Sequence, residues 1–297
     1  MSFANDKHAL VTGAGGQLGR ALVASSPPGW RVTALERGAC DITDPAAVTA
    51  RLAASGAALL INAAAYTAVD RAEEDVEQAM AVNARAPGIL AGACAELNMR
   101  LLHVSTDFVF DGCSSTPYTV DAATGPLGVY GRSKLAGEEA VREACADSVI
   151  MRTGWVYSHT GHNFLLTMLR LHRERDELAV VADQVGTPTA ASSLAAALWA
   201  TAGHPGLSGT FHWSDAGVCS WYDFAVAIGE EAVALGLIER AATVRPIATA
   251  DYPTAARRPA YSVLDKSASW DALGLPPQHW RAALRDTLQI LRGEADG

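Results

Sequence analysis

Tyr130 and Lys134 are the residues best suited to chemistry, because they form a Tyr-x-x-x-Lys pair. On a helix, side chains four positions apart share one face, with about 5–6 Å between their Cβ atoms. A free phenol has a pKa of about 10 and is a poor proton donor or acceptor at neutral pH. A neighbouring cation favours the phenolate, so we expect Lys134 to lower the pKa of Tyr130 toward the working pH. The pair predicts acid–base catalysis.

A third candidate is the hydroxyl of Thr106, which follows the predicted strand Arg100–Ser105. Ligands of open parallel α/β sheets bind beyond the carboxyl ends of the strands, so Thr106 should lie on the floor of a cleft. A Tyr-x-x-x-Lys pair arises readily by chance. Its significance therefore depends on this hydroxyl and on a glycine-rich segment near the start of the chain.

That segment carries Gly13, Gly16 and Gly19, between the predicted strand Lys7–Thr12 and the predicted helix Gln17–Ser25. The first glycine permits a tight turn, the second lets a pyrophosphate approach closely, and the third lets helix and strand pack together. The helix N-terminus adds amide donors and a favourable dipole. A merely glycine-rich connection is the alternative, but its place after the first strand of an alternating chain favours a dinucleotide site.

The choice of dinucleotide depends on Glu36 and Arg37, which follow the second predicted strand. Glu36 could accept hydrogen bonds from a ribose diol, which favours NADH. Arg37 could pair with a 2′-phosphate, which favours NADPH. Both could also be solvated surface charges. We expect either cofactor to be used, with a slight preference for NADPH.

Composition limits the function classes that need consideration. The chain has 297 residues, 49% of them hydrophobic and 19% charged, which is typical of an ordinary globular enzyme. Its net charge of −9 argues against a nucleic-acid-binding surface. The five cysteines form no C-x-x-C motif, so neither a zinc site nor a disulfide framework is indicated. No signal-peptide core is found in Met1–His8, and Ala57–Val69 is too short to span a bilayer; we expect a cytoplasmic protein without membrane contact.

Alternating strands and helices in the first half predict an α/β fold: a Rossmann-type, doubly wound parallel sheet with right-handed crossovers. We expect a dinucleotide-binding domain over residues 1–157. Residues 158–297 should form mainly a smaller α/β domain for the substrate, with some segments crossing back to the sheet. Strands are further predicted at 31–35, 58–62 and 148–153, and helices at 71–80, 83–98, 130–145, 163–174, 192–202, 221–235 and 280–291.

Eight segments of the chain carry a resemblance to a known family. They are GQLG (16–19), NAAAYTAVDRAE (62–73), STDFVFDG (105–112), YGRSKLAGE (130–138), RTGWVY (152–157), DQVGTPT (183–189), SWYDFA (220–225) and RRPAYSVLD (257–265). Thr106, Tyr130 and Lys134 resemble the Ser/Thr–Tyr–Lys set of extended short-chain dehydrogenases/reductases. The segments together resemble the dTDP-4-dehydrorhamnose reductase family, from residue 7 to about residue 290.

The resemblance implies NAD(P)H-dependent reduction of the C4 ketone of a dTDP-4-dehydro-6-deoxysugar, foremost dTDP-4-dehydro-L-rhamnose to dTDP-L-rhamnose. It implies that Tyr130 protonates the developing alkoxide, that Lys134 lowers the pKa of Tyr130 and binds the nicotinamide ribose, and that Thr106 orients the carbonyl. The predicted cofactor contacts are Gly13, Gly16, Gln17, Leu18, Glu36, Arg37, Asp41, Ile42, Ala64, Ala65, Tyr66, Thr67, Val104, Tyr130 and Lys134. The predicted substrate contacts are Thr106, Asp107, Trp155 and Arg258.

Several points stay open at this stage. Either Arg257 or Arg258, or both, could neutralise the substrate pyrophosphate, or be solvated. The polar residues of segment 183–189 could line the sugar pocket or build a turn. His159 and His162 are read as loop residues, because zinc would need more ligands at short spacing. The resemblance allows Mg²⁺, with no ligand assignable, and a monomer or homodimer.

Phe108 separates the competing functions. A nucleotide-sugar 4,6-dehydratase needs an additional carboxylate after Thr-Asp, and Phe108 cannot remove a proton. A 4-epimerase is disfavoured too, because such enzymes retain tightly bound NAD. A related dTDP-4-ketosugar reductase of an antibiotic deoxysugar pathway stays possible, as does a non-catalytic NADP-binding regulatory subunit. Family members often carry Tyr at this position, and Phe108 lacks the hydroxyl that such a Tyr offers for a polar contact.

Overall fold

The computed structural model describes residues 7–295. Residues 1–6 of the first predicted domain and residues 296–297 of the second lie outside the described residues. The strands are β1 (Lys7–Thr12), β2 (Trp30–Leu35), β3 (Leu59–Asn62), β4 (Arg100–Thr106), β5 (Val149–Thr153), β6 (Val156–Tyr157), β7 (Glu177–Val181), β8 (Val185–Gly186), β9 (Thr189–Ala190), β10 (Gly209–His212), β11 (Cys219–Ser220) and β12 (Thr243–Ile247). The helices are α1 (Gln17–Ala24), α2 (Pro45–Ser55), α3 (Val69–Ala72), α4 (Val76–Met80), α5 (Ala86–Glu96), α6 (Val129–Ala144), α7 (Phe164–Glu174), α8 (Ala191–Gly203), α9 (Trp221–Ala234), α10 (Ser267–Leu273) and α11 (Trp280–Ala295).

The main sheet has six parallel strands in the order β2-β1-β3-β4-β5-β10. The direction of winding reverses between β1 and β3, which is where ligands bind in sheets of this kind. The predicted α/β, Rossmann-type parallel sheet is confirmed. β3 is buried along its whole length, as the apolar residues Leu59–Ile61 predict for a strand covered on both faces.

Two apolar layers cover the sheet. On one face α2, α5 and α6 contribute Leu52, Leu90 and Val141 to a buried cluster. On the other face α1 and α8 contribute Leu22 and Leu198 to a second cluster. A third core, formed by α7, α9 and α11, supports the C-terminal part of the chain. α8 and β10 belong to the sheet layers although they follow residue 157, so segments of the second half do cross back. The division into two domains stays a prediction.

Local sequence explains several boundaries. Asp44 caps α2 by accepting hydrogen bonds from the amides of Ala46 and Ala47, and Pro45 occupies the first turn. Asn163 caps α7 by accepting from the amide of Leu166 at 3.0 Å.

Two predicted helices are wrong in detail. The helix predicted over 71–80 is broken into α3 and α4, because the chain turns at Glu73–Asp75. The helix predicted over 83–98 begins instead with a π-helical segment, Ala81–Arg85, that leads into α5. Pro87 has no N–H with which to close the α-helical hydrogen bond to Asn83. α6 approaches the freed Asn83 carbonyl at Gly137, where a Cβ would lie 2.0 Å from that oxygen.

Candidate active site

A cleft with a volume of about 1170 Å³ opens along the carboxyl ends of the main-sheet strands. All of the predicted cofactor and substrate contacts, and the three catalytic candidates, line this one cleft. They are Gly13, Gly16, Gln17, Leu18, Glu36, Arg37, Asp41, Ile42, Ala64, Ala65, Tyr66, Thr67, Val104, Thr106, Asp107, Tyr130, Lys134, Trp155 and Arg258. Their individual roles stay predictions, but the fold brings residues from separate segments of the chain to a common wall.

The glycine turn lies at one end of the cleft. Gly13 has a φ of 68°, and a Cβ on it would lie 2.6 Å from the amide nitrogen of Ala64. A Cβ on Gly19 would lie 2.2 Å from the carbonyl oxygen of Gly13. Side chains are therefore excluded at both positions. Gly16 is the N-cap residue of α1 and no side chain caps this end, so the positive end of the helix faces the cleft.

Glu36, Arg37, Asp41 and Ile42 form the wall next to that turn. Hydrogen bonds from the Thr43 hydroxyl and amide, at 2.7 and 2.9 Å, hold the Asp41 carboxylate and lower its pKa. Asp41 therefore stays anionic and is fixed in position. Both charged groups that the sequence weighed for cofactor choice, Glu36 and Arg37, lie on the cleft wall.

Lys134 and Tyr130 project from the first two turns of α6. The ammonium of Lys134 is buried and donates a 2.7 Å hydrogen bond to the carbonyl of Val104 in β4. Burial lowers the pKa of Lys134 to about 8, while the carboxylate of Glu138 acts in the opposite direction. This bond ties the helix to the strand that ends in Thr106.

The expectation that Lys134 lowers the pKa of Tyr130 is wrong for this structure. Burial raises the pKa of Tyr130 to about 12, with a smaller opposing effect of the Thr106 hydroxyl. The Asp107 carboxylate raises it further. Desolvation of the phenolate exceeds any gain from the ammonium, which is directed to Val104. The Tyr130 ring packs edge-on against Phe108, with ring centroids 5.6 Å apart.

Thr106 and Asp107 form the floor of the cleft. The Thr106 hydroxyl donates to Oδ1 of Asp107 at 3.0 Å and accepts from the amide of Phe108 at 3.2 Å. Oδ2 of Asp107 has no hydrogen-bond partner among residues 7–295, and a Cβ on Gly154 would lie 2.6 Å from it. Burial raises the pKa of Asp107 to about 6, although the Ser262 and Thr106 hydroxyls oppose the shift.

Sequence reasoning missed Asn83 and Ser133. Asn83 accepts from the amide of Tyr66 at 2.8 Å and donates to the carbonyl of Tyr66 at 2.9 Å. It also donates to the hydroxyl of Ser133, on α6, at 3.1 Å. One amide side chain therefore fixes the cofactor-side loop Ala64–Thr67 to the helix of Tyr130. An Asn followed by Ala-Arg-Ala-Pro carries no local signal for this role.

A buried ion pair between Glu138 and Arg152 holds α6, the helix of Tyr130, against β5. Glu138 receives two hydrogen bonds from Arg152 in β5, at 2.8 and 2.7 Å, and a third from Arg142. Burial alone would raise the pKa of Glu138, but hydrogen bonds and charge from Arg152 outweigh it and lower the pKa. Glu138 is thus an anion locked between α6 and β5.

Trp155 lies in an aromatic stack at the other end of the cleft. It is a non-glycine residue with a φ of 50°, and its ring stacks on Trp221 with centroids 3.5 Å apart and planes 3° apart. Phe164 covers Trp221 with centroids 4.6 Å apart. A Cβ on Gly186 would lie 2.6 Å from the Trp155 ring. The indole face is therefore held rigidly; Trp221 and Phe164, which also line the cleft, were not foreseen as site residues.

Arg258 reaches the cleft wall, whereas Arg257 does not line it. The Arg258 guanidinium pairs with both oxygens of Asp70, at 2.7 and 3.0 Å. In the 183–189 segment, the polar groups serve the loop itself: Asp183 and Gln184 bond Thr249, and the Thr187 hydroxyl donates to Gly217. These observations favour the turn-building interpretation of that segment.

His162 lines the cleft, while His159 lies 3.7 Å from Glu294. Among the described residues, no group of three or more His, Cys, Asp or Glu side chains could hold a metal ion. No set of Mg²⁺ ligands can therefore be assigned among residues 7–295. Within the same range, no helix combines the length and the apolar character that crossing a bilayer requires.

The parallel sheet with its switch-point cleft, and the Thr–Tyr–Lys set on β4 and α6, define the class of extended short-chain dehydrogenases/reductases. Residues 7–292 match the family described as RmlD substrate binding domain. The chain belongs to the dTDP-4-dehydrorhamnose reductase family.

Individual relatives agree with this assignment. A dTDP-4-dehydrorhamnose reductase from Aggregatibacter actinomycetemcomitans is 44% identical over 93% of this chain and 97% of its own. A probable dTDP-4,6-dihydroxy-2-methyloxan-3-one 4-ketoreductase from Streptomyces antibioticus is 42% identical over 96% of both chains. The structure of the Bacillus anthracis dTDP-4-dehydrorhamnose reductase in complex with NADP superposes with a TM-score of 0.91, at 33% identity, covering 96% of this chain and 99% of that one.

Proposed function

We propose that the protein reduces the C4 ketone of dTDP-4-dehydro-L-rhamnose to give dTDP-L-rhamnose, using NADPH or NADH. The observation that carries the proposal is the meeting of Thr106, Tyr130 and Lys134 on one wall of a cleft whose other end is the glycine turn. A reductase needs a proton donor, a group that orients the carbonyl and a site for the hydride donor on the same cleft.

The glycine turn fits a dinucleotide. Gly13 and Gly19 leave no room for side chains, and the N-terminus of α1 carries no side-chain cap, so its amides can receive a pyrophosphate. When bound, the nicotinamide cofactor supplies the hydride. We assign the ribose contacts at this end to Glu36, Arg37, Asp41 and Ile42. NADPH is slightly favoured, which the NADP complex of the Bacillus anthracis relative supports.

Tyr130 is the proposed acid. A phenol with a pKa of about 12 is fully protonated at neutral pH and therefore available as a donor. As the C4 oxygen of the substrate gains negative charge, Tyr130 donates its proton to that oxygen, while the Thr106 hydroxyl orients it. Lys134, cationic below a pKa of about 8, is assigned to the nicotinamide ribose of the cofactor. Proton transfer of this kind contributes about 10²–10⁴-fold to the rate.

The substrate side is assigned to Asp107, Trp155 and Arg258. The rigid indole face of Trp155 suits a flat apolar surface of the sugar or base, and Arg258 suits the diphosphate because guanidinium pairs with phosphate oxygens in two places. Arg258 keeps this position through Asp70. No step is assigned to Mg²⁺.

Oligomeric state and location complete the proposal: a monomer or homodimer in the cytoplasm. The five cysteines are all free thiols within the described residues. Free thiols persist in a reducing compartment, which supports the cytoplasmic placement.

The test is loss of absorbance at 340 nm on mixing the protein, NADPH or NADH and dTDP-4-dehydro-L-rhamnose. We expect turnover in the natural chain and its loss in Tyr130→Phe. Tyr252→Phe is the matched control, because Tyr252 is 59% exposed and does not line the cleft. Turnover unchanged by Tyr130→Phe would refute the assigned acid, and NADP binding without turnover of any ketosugar would favour a regulatory subunit.

A related 4-ketoreductase of another deoxysugar is the second candidate. It is favoured by the 42% identity to the Streptomyces antibioticus 4-ketoreductase, over the same length of chain. Product identification by NMR, after reduction of a panel of dTDP-4-keto sugars, separates the two. A clear preference in kcat/KM for a sugar other than dTDP-4-dehydro-L-rhamnose would select the second.

A further inference from the structure

The helix that carries Tyr130 and Lys134 begins without a cap of its own. Its N-cap residue is Gly128, with φ −129° and ψ 175°, and no side chain within the helix caps this end. These dihedral angles suit a Ser, Thr, Asp or Asn, whose side chains normally satisfy the free amides of the first turn. Tyr130 is only the second residue of the helix, so whatever holds this end also holds Tyr130.

Glu73 supplies the missing acceptor from 56 residues away in the chain. Its Oε1 accepts a 2.7 Å hydrogen bond from the amide of Val129. A Cβ placed on Gly128 would lie 2.6 Å from the same oxygen. The carboxylate therefore occupies the space that a side chain at Gly128 would need, so any residue larger than glycine would displace Glu73 from the cap.

The element that carries Glu73 is itself anchored on the substrate side. Asp70, on α3, accepts from the amide of Ala256 at 3.0 Å and pairs with Arg258. α3 follows directly on the Ala64–Thr67 loop of the cofactor side. Within the first turn of α6, a Cβ on Gly131 would lie 2.3 Å from the carbonyl oxygen of Phe108, so the helix start is pressed against the segment after Thr106.

We propose that Glu73 is a positioning residue for the reduction: it caps the catalytic helix from outside and so sets the place of the Tyr130 hydroxyl relative to Thr106 and the cofactor-side loop. The inference rests on the proposed function of Tyr130. Glu73 does not touch the reacting atoms; it acts through the backbone of Val129. A displacement of a catalytic group by about 1 Å can cost about 10²-fold in rate.

The structure suggests a cap-exchange experiment. Glu73→Ala removes the acceptor and should lower kcat about 10- to 100-fold while KM changes little. Gly128→Ser alone should also lower kcat, because its Cβ collides with the Glu73 carboxylate. In the double variant Glu73→Ala/Gly128→Ser the collision is gone and the introduced serine hydroxyl can cap the helix itself, so kcat should recover to within about threefold.

Two further variants complete the set. Glu73→Gln keeps an acceptor oxygen and should retain most of the kcat that Glu73→Ala loses. Glu74→Ala is the matched control, since Glu74 is the exposed neighbour. Hydrogen exchange of the peptide covering residues 128–133 supplies a readout independent of turnover. Exchange should be faster in Glu73→Ala than in the natural chain, and it should return to the natural rate in the double variant.

The outcomes separate a failure of the positioning role from a failure of the proposed function. Unchanged kcat in Glu73→Ala, with only lower thermal stability, would overturn the positioning role. Loss of kcat in Glu73→Ala, Glu73→Gln and the double variant alike would overturn it too, because the carboxylate would then act directly. If Tyr130→Phe keeps full turnover, it is the proposed function that fails, whereas the exchange data still report whether Glu73 caps the helix.

Discussion

The side-chain amide of Asn83 holds the backbone of Tyr66 at both of its hydrogen-bonding groups, at 2.8 Å to the N–H and 2.9 Å to the C=O. Asn83 lies in the π-helical segment and is fully buried. Segments of π-helix are frequent at functional sites because they shift side chains out of the regular helical positions. This contact joins the loop proposed to hold the cofactor to the helix proposed to hold the acid.

Asn83→Ala should therefore weaken cofactor binding. We expect the Kd for NADPH, measured by nucleotide fluorescence, to rise about 10-fold. The free energy of unfolding should fall by about 1–3 kcal/mol, because a buried N–H and C=O lose their partner. Asn83→Asp keeps the acceptor for the Tyr66 amide. At low pH, where its carboxyl is neutral, it should therefore lose less stability than Asn83→Ala. An unaltered Kd in Asn83→Ala would contradict the assigned role of the loop.

Lys134 predicts a pH dependence. Burial lowers the pKa of Lys134 to about 8, so the ammonium is present below this pH and is lost as the pH rises through it. If the cation holds the nicotinamide ribose, kcat/KM should fall as the pH rises through about 8, because this parameter reports groups of the free enzyme. Lys134→Arg keeps the charge at all pH values, so its kcat/KM should be lower overall but should not fall as the pH rises through about 8. If kcat/KM of Lys134→Arg falls over the same pH range as in the natural chain, another group is responsible for the fall.

Asp107 predicts a pH dependence of stability. Burial raises the pKa of Asp107 to about 6, above its ordinary value of 3.8, so the folded state binds the proton more tightly than the unfolded state. The stabilisation is complete below the unfolded pKa and is lost as the pH rises through about 6. Relative to Asp107→Asn, the natural chain should lose about 3 kcal/mol of unfolding free energy between about pH 3 and pH 7. Urea unfolding of both proteins across this range is the measurement, and parallel curves would contradict it.

Arg258 and Arg257 form a matched pair for substrate binding. Arg258 lines the cleft and is oriented by Asp70, whereas Arg257 does not line it. Arg258→Ala should raise KM for the nucleotide sugar about 10- to 100-fold with little change in kcat, because binding to a remote diphosphate is equal in the ground and transition states. Arg257→Ala should leave both parameters within about twofold. Equal effects of the two substitutions would contradict the assignment.

Gly186→Ala tests the aromatic stack. The added methyl would lie 2.6–2.9 Å from atoms of the Trp155 ring and must displace it. We expect a higher KM for the nucleotide sugar and an altered near-ultraviolet circular dichroism from the stacked Trp155–Trp221 pair. Gly92→Ala is the control, because nothing lies within 4 Å of a Cβ at that position. An unchanged KM together with a changed spectrum would remove Trp155 from the substrate site.

The elements of this fold follow from short-range patterns in the chain. The glycine turn, the Asp44–Pro45 start of α2, the apolar run of β3 and the spacing of Tyr130 and Lys134 all depend on neighbours within a few residues, so the sequence alone predicts them. It also predicts that their side chains meet at the carboxyl edge of a parallel sheet, because alternation of strands and helices leaves one such edge.

Only the tertiary structure decided what supports those side chains and how they titrate. The contacts Glu73–Val129, Asn83–Ser133 and Asp70–Arg258 join residues 56, 50 and 188 positions apart, and no local pattern encodes such pairs. The pKa of Tyr130 moves upward rather than downward because it depends on how many protein atoms replace water around the phenol. Residue spacing determines which groups share a face; burial and distant partners determine what those groups can do.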